Sequence, residues 1–375
     1  MKAEHQDMER ADVCVIGGGP AGLAAAIAAR QRGFSVMVVD GLKPPIDKAC
    51  GEGLLPETQE ALAELRITVS SEDGCRFRGI RFVEKDTQVS AEFAAGQGIG
   101  IRRTLLHQRL LERAEACGVQ LRWQTTVMGI AASVVRKSHE EIAARWIVGA
   151  DGGSSRMRRW SGLETSTRNT WRHAIRRHYR IKPWSPHAEV HWGKRAQAYV
   201  TPIGAEEVCI VVLVERSEDA DFAKVLEELP ELRERLCKAE LASRERGAIT
   251  AMHKLKRVTR GNVALVGDAS GGVDAITGEG LRLAFRQSLA LAEAMERNDL
   301  SGYERAHREL ARRPMRMGKL MLLLGRDKGL RQRSFAALAA NPRLFQDLLA
   351  MHVGQASRAQ IVGTGLELGW QFLTA

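Results

Sequence analysis

Two periodicities of apolar residues run through this chain, and the places where one replaces the other divide it into elements. Near the start, Val13, Val15 and Ile16 form the short apolar run of a buried parallel strand. An alanine-rich helix follows to about Arg32, and a second apolar run, Phe34–Val39, is closed by Asp40. Glu57–Leu65 reads as a short helix, while Cys75–Val83 and Val89–Phe93 alternate like strands of a half-buried antiparallel sheet. Ile101–Cys117 returns to helical spacing, with Leu106, Leu110, Leu111 and Ala114 on one face and Gly118 as the stop. Val119–Trp123 and Ile142–Val148 are strands again. So are Ala174–Ile181, Ala188–Trp192, Ala196–Pro202 and Val208–Val214, before a helix over Asp219–Lys238 that Pro230 breaks. Asn262–Val266 is one more buried strand, leading to a helix from Leu281 to about Arg297. The remainder is helical, with Asn341 and Pro342 starting Arg343–His352 and Gly354 ending it. This order predicts an α/β architecture: a Rossmann-like βαβ domain, interleaved with an antiparallel-sheet domain and followed by a helical C-terminal region.

Composition narrows the class. The chain has 375 residues, 44% apolar and 27% charged, as an ordinary globular enzyme of two or three domains would. Its net charge of +11 is concentrated in Arg168–Arg195, where Glu189 is the single acid, and in Tyr303–Arg333. Such patches suit nucleic acid, an anionic membrane surface or an acidic substrate, and a solvated basic face is the commoner reading. No nucleic-acid motif supports the first. The six cysteines form no C-x-x-C pair, and the histidines show no ligand spacing, so no metal is expected. A reducing cytoplasm is the expected location, with peripheral membrane contact as an extension of it. No apolar run reaches membrane-spanning length.

Three turns carry the chemistry. Gly17-x-Gly19-x-x-Gly22 sits between strand and helix: Gly17 allows the sharp turn, Gly19 the approach of a pyrophosphate, Gly22 close packing of helix on sheet. The helix start offers free N–H groups to phosphates, and Asp40 suits an adenosine ribose. The second turn, Gly149-Ala150-Asp151-Gly152-Gly153, and the third, Gly267-Asp268, also follow strands, at the end where α/β sheets bind ligands.

These turns, in this order, resemble the para-hydroxybenzoate-hydroxylase-like FAD enzymes over roughly residues 10–300. Within them, Lys48-Ala49-Cys50-Gly51-Glu52-Gly53-Leu54 and Asp274-Ala275-Ile276-Thr277-Gly278-Glu279-Gly280 look like loops of the geranylgeranyl-reductase family, with Ala275 where that family has proline. The resemblance implies FAD bound by Gly17, Gly19, Ala21, Gly22, Asp40, Arg103, Asp151, Gly267, Asp268, Gly278, Gly280 and Leu281, with Arg102 a substitute for Arg103. It implies an FAD-binding domain of residues 10–74, 101–165 and 258–299, a substrate-binding sheet domain of 75–100 and 166–257, and a helical region 300–375. Cys50, with Glu52 beside it, is the expected catalytic group, and Tyr199 and Pro202 are expected to line the substrate cavity. His178 and His191 read as sheet residues.

The expected activity is reduction of carbon–carbon double bonds in a small apolar, prenyl or polyketide-like substrate. The electron donor would be NAD(P)H or a ferredoxin. A hydroxylase of the same fold, using oxygen, is the alternative. A halogenase is disfavoured by the missing W-x-W-x-I-P pattern, and a carrier without redox chemistry by the Gly278-Glu279-Gly280 loop.

Overall fold

The computed structural model describes residues 8–137, 140–164 and 170–356. Arg168 of the first basic segment and the end of the helical region, 357–375, lie outside the described residues.

Glu9–Ile16 is an inner strand of the first sheet, paired in parallel with Val36–Val39 on one side and Glu141–Gly149 on the other. Val13, Cys14 and Val15 are wholly buried, which explains the absence of polar alternation. Gln120–Arg122 extends the sheet beyond Val36–Val39, and Val263–Leu265 extends it beyond Glu141–Gly149, both in parallel. The chain therefore leaves the inner strand in both directions, and a crevice opens at the carboxyl ends of the strands. The turns after Ile16, Val39, Gly149 and Leu265 all open on that edge. Helices Pro20–Gln31, Arg103–Ala116 and Gly280–Glu296 join the core with Leu23, Ile27, Leu106, Leu110, Phe285 and Leu291.

A second, largely antiparallel sheet runs from Gly271–Gly272 through Arg246–Lys254, Thr170–Arg180, Glu207–Val214, Ala196–Gly204 and Ala188–Trp192 to Gly79–Glu84 and Thr87–Glu92. Ala188–Trp192 and Gly79–Glu84 pair in parallel. Helices Leu300–Arg326, Lys328–Ala340 and Pro342–His352 bring Met321, Leu324, Phe335, Leu338 and Phe345 against Phe82 and Trp192 of this sheet. The α/β class, the antiparallel substrate sheet and the helical C-terminal region are as expected from the apolar pattern.

Some elements differ. Cys75–Val83 is not one strand. It breaks at Arg78 into Cys75–Phe77, which pairs with Gly98–Gly100 in a small third sheet, and Gly79–Glu84. Arg78 donates its N–H to the Pro186 carbonyl and accepts from the Phe93 N–H, so the ladder changes partners there. The expected helix over Asp219–Lys238 is two short ones, Phe222–Glu227 and Pro230–Leu236, parted at the proline. Arg246–Lys254 and the hairpin Val127–Ala131/Val134–Lys137 escaped the periodic pattern. The first is half-exposed at nearly every position, so it carries little alternation.

Candidate active site

The first turn is close-packed. Gly17 has φ +112°, and a side chain on it would run into the Ala150 carbonyl; one on Gly22 would meet the Gly17 carbonyl. Gly19 faces open space. The helix Pro20–Gln31 starts with no side chain capping it, so its free N–H groups are directed at the cavity. Asp40 accepts hydrogen bonds from the Gly18 N–H (2.6 Å) and the Leu42 N–H (2.7 Å), which aim its carboxylate while leaving lone pairs free. Sequence reasoning missed His107, whose Nε2 donates to the Gly18 carbonyl at 2.8 Å. Burial lowers the pKa of His107, against the opposing effect of this bond, and so favours its neutral form.

Arg103 and Asp268 stand on the wall of the same cavity. The Nε of Arg103 is buried without a hydrogen-bond partner, as a group awaiting an anion would be. Arg102 does not replace it: its guanidinium engages Glu207 and His178 instead. The exposed carboxylate of Asp268 follows Gly267, whose φ of +58° places Ala21 directly against it. Asp151 lines this cavity too, with its carboxylate engaged by its own turn. It accepts from the Ser155 hydroxyl (2.6 Å) and from the N–H groups of Arg156 (2.7 Å) and Met157 (3.0 Å), so it holds its own turn in shape.

Gly278 is left-handed (φ +67°) and Gly280 begins the helix Gly280–Glu296, again with no side-chain cap. Leu281 and both glycines line the cavity. Ala275 stands where the resembled family has proline, yet the loop is held by other means. Asp274 accepts from Arg172 (3.0 Å) and caps the Ile276 N–H (3.1 Å), both acid and base being buried. His352, on the last described helix, donates to the Thr277 carbonyl at 2.9 Å.

Cys50 lies on the wall of the same cavity, with its thiol accepting from the Glu52 N–H at 3.4 Å. Gly51 rests on the ring of Tyr199, where any side chain would collide. Burial pushes the Tyr199 phenol well above its ordinary pKa, so it stays neutral. Two expected site residues are corrected. Pro202 is buried away from the cavity, with its carbonyl against Gly100, because side chains alternate along Ala196–Gly204. Tyr199 and Thr201 take the cavity side. Glu52 does not offer a free acid beside Cys50. Its carboxylate is occupied by the Arg103 N–H (2.9 Å), Arg176 (3.1 Å) and His178 (2.7 Å). The ligand atoms of Glu52, His178 and Cys209 lie within 4.8 Å of one another, but the Arg176 guanidinium supplies the positive charge there.

Gly19, Asp40, Cys50, Arg103, Asp268 and Gly280 line one cavity of about 860 Å³. Beyond Cys50 it continues between the antiparallel sheet and the C-terminal helices, lined by Phe77, Phe82, Leu324, Leu338, Phe345 and Leu349. Two uncapped helix starts, an orphan arginine and an aimed ribose-type carboxylate along one cleft fit a long dinucleotide cofactor with its diphosphate in the middle. A hydrophobic chamber adjoins its far end.

That geometry defines a dinucleotide-binding protein of the α/β class. The chain belongs to the family described as FAD binding domain, which matches residues 10–302. It is an FAD-dependent oxidoreductase. Over 325 residues it is 28% identical to menaquinone reductase of Mycolicibacterium smegmatis, covering 79% of each chain. Over 327 residues it is 26% identical to digeranylgeranylglycerophospholipid reductase of Thermoplasma acidophilum, covering 78% of this chain and 81% of the other. Among solved structures, a flavoprotein/dehydrogenase from Cytophaga hutchinsonii shares the fold with TM-score 0.78 at 20% identity, over 92% of both chains. The resemblance to geranylgeranyl reductases, first carried by two loops, thus extends along most of the chain.

Proposed function

We propose that this protein reduces carbon–carbon double bonds in an apolar, isoprenoid-type substrate, with NAD(P)H or a ferredoxin as the source of electrons. The observation that carries this reading is the continuity of the FAD cleft with a chamber walled by Phe77, Phe82, Leu338 and Phe345. Such a wall gains roughly 25 cal/mol for each Å² of apolar surface it removes from water. It also excludes water from the reacting bond. The menaquinone and digeranylgeranyl lipid reductases among its relatives support an isoprenoid chain as occupant.

Bound FAD supplies hydride transfer, the chemistry the side chains lack. The chain's own residues do the rest. The N–H groups at Gly280 and Leu281 favour negative charge at the inner end of the cleft. Gly19, Arg103 and the helix start at Pro20 would hold the diphosphate of FAD, with Asp40 and Asp268 as the carboxylates for its hydroxyl groups. Cys50, on the wall of the same cavity, would give its thiol proton to one carbon of the substrate double bond. Tyr199, neutral and packed under Gly51, supports the Cys50 loop.

The mouth of the cavity suggests how such a substrate arrives. Leu320 and Leu323 are 41% and 51% exposed on the helix Leu300–Arg326, and Arg316 and Lys319 share their face. Trp171 (52%) and Ile249 (62%) are exposed on the second sheet and line the cavity together with Leu320. An apolar rim among cations fits the interface of an anionic bilayer, and we propose that the protein docks there peripherally. Among the described residues no helix is long and apolar enough to cross a membrane.

The reading is tested by oxygen dependence. Turnover of an isoprenoid substrate should continue under nitrogen; a requirement for stoichiometric oxygen would defeat it in favour of hydroxylation.

A further inference from the structure

The Cys50 loop rests on a buried polar cluster for which the reaction itself gives no reason. Glu52 is 2% exposed and takes a left-handed backbone conformation (φ 59°), which is unfavourable for a residue with a side chain. Its backbone carbonyl accepts from the Ile101 N–H at 2.8 Å, and its carboxylate accepts from the N–H of Arg103 at the start of the cofactor-facing helix. The same carboxylate receives Arg176 and His178 from the strand Thr170–Arg180 of the substrate sheet. Arg176, 1% exposed, also forks onto Asp47 at 2.9 and 3.0 Å, three residues before Cys50. Burial would raise the Asp47 carboxyl, but hydrogen bonds and charge from Arg176 and Arg246 hold it below its ordinary value. His178 approaches Ser243 (2.6 Å) and Arg102 through Nδ1, and an arginine there leaves the ring proton on Nε2, facing Glu52. From beneath, the Cys209 thiol donates to the Cys50 carbonyl at 3.5 Å. Acids thus flank Cys50 on both sides, at Asp47 and Glu52, and one buried guanidinium holds both.

We propose that Glu52, Arg176 and Asp47 are positioning residues that clamp the loop presenting Cys50 and lock it to the helix start carrying Arg103. This carboxylate joins the Arg103 helix start to the second sheet beside the Arg102–Glu207 pair, so the clamp sets the position of the Cys50 loop relative to Arg103. The inference rests on the reading of Cys50 as the active-site thiol, but its test does not depend on turnover.

The test is the rate at which N-ethylmaleimide modifies Cys50 in FAD-reconstituted protein, followed on the Cys50 peptide by mass spectrometry. Glu52→Gln keeps the volume but loses the charge, and Asp47→Asn loosens the other arm. Loss of a charge-assisted hydrogen bond should raise the labelling rate roughly tenfold in the first and less in the second. Leu232→Ala, in a separate core cluster, serves as a control of matched thermal stability and should leave the rate as in wild type. FAD affinity should stay within about threefold in both loop variants, whereas the rate of flavin reoxidation by substrate falls with KM little changed. Wild-type labelling in Glu52→Gln and Asp47→Asn, or an equal rise in Leu232→Ala, would overturn the clamp. If Glu52→Gln does not fold, Asp47→Asn and Arg176→Lys decide it by the same readout. Should labelling respond while Cys50→Ala reduces substrate normally, the clamp stands and the catalytic reading of Cys50 falls.

Discussion

Cys50 and Arg103 stand on one cavity, yet their substitution should be felt in different measurements. Cys50→Ala removes the proposed proton donor, and general acids contribute about a hundredfold or more to such steps. Single-turnover reoxidation of the flavin by substrate should fall by about that factor, with FAD binding unchanged; an unaltered rate would remove Cys50 from the chemistry. Arg103→Ala should instead weaken FAD binding, by roughly tenfold for one charge-assisted contact, as measured by fluorescence titration. The turn was legible at Gly17 and Gly22 because each meets a close backbone contact that its neighbours in sequence announce. Pro202 was not, since its direction depends on the phase of a strand whose face is decided by distant partners. Glu52 was misread for a related reason: Arg176, which claims its carboxylate, lies 124 residues away.

Among the elements, the Asp274–Gly280 loop shows how a fold substitutes for a missing residue. Rigidity that proline would give at Ala275 comes from the buried Arg172–Asp274 pair and from His352 on the Thr277 carbonyl. Arg172→Met strands the Asp274 carboxylate and should destabilise the protein by about 3–5 kcal/mol, whereas Arg172→Met with Asp274→Asn should recover part of that loss. Denaturant titration of both variants separates the cases; equal losses would show that the pair does not hold the loop. Parallel strands and the long helices were visible in the sequence because their apolar periods are strong. The strand Arg246–Lys254 and the hairpin at Val127–Lys137 were not, because half-exposed strands at a sheet margin bury too little to mark the sequence.

For the whole molecule, two consequences follow from where charge and burial fall. Burial lowers the pKa of His107, His187, His253 and His307, the last to about 4 from an ordinary 6.5. Each is depressed in the folded state, so between its folded and ordinary values the unfolded chain binds more protons. Stability should therefore be full above about pH 6.5 and decline as the pH falls through that value towards 4. His307→Gln should flatten part of that slope in thermal melts; an unchanged slope would contradict the assignment. The exposed rim of Trp171, Ile249, Leu320 and Leu323 should bring the protein down with vesicles containing anionic lipid and leave most of it in solution with neutral ones. Leu320→Ser with Leu323→Ser should weaken that co-sedimentation, and binding indifferent to lipid charge would remove the electrostatic part of the proposal. The central measurement is anaerobic. FAD-reconstituted protein, bleached with dithionite under nitrogen, is mixed with a menaquinone or a geranylgeranyl lipid while flavin absorbance is followed, and the product is weighed by mass spectrometry. The predicted result is recovery of the oxidised flavin spectrum without oxygen, together with two added hydrogens for each double bond reduced. Recovery only after air is admitted, with the isoprenoid returned unchanged or oxygenated, would contradict it.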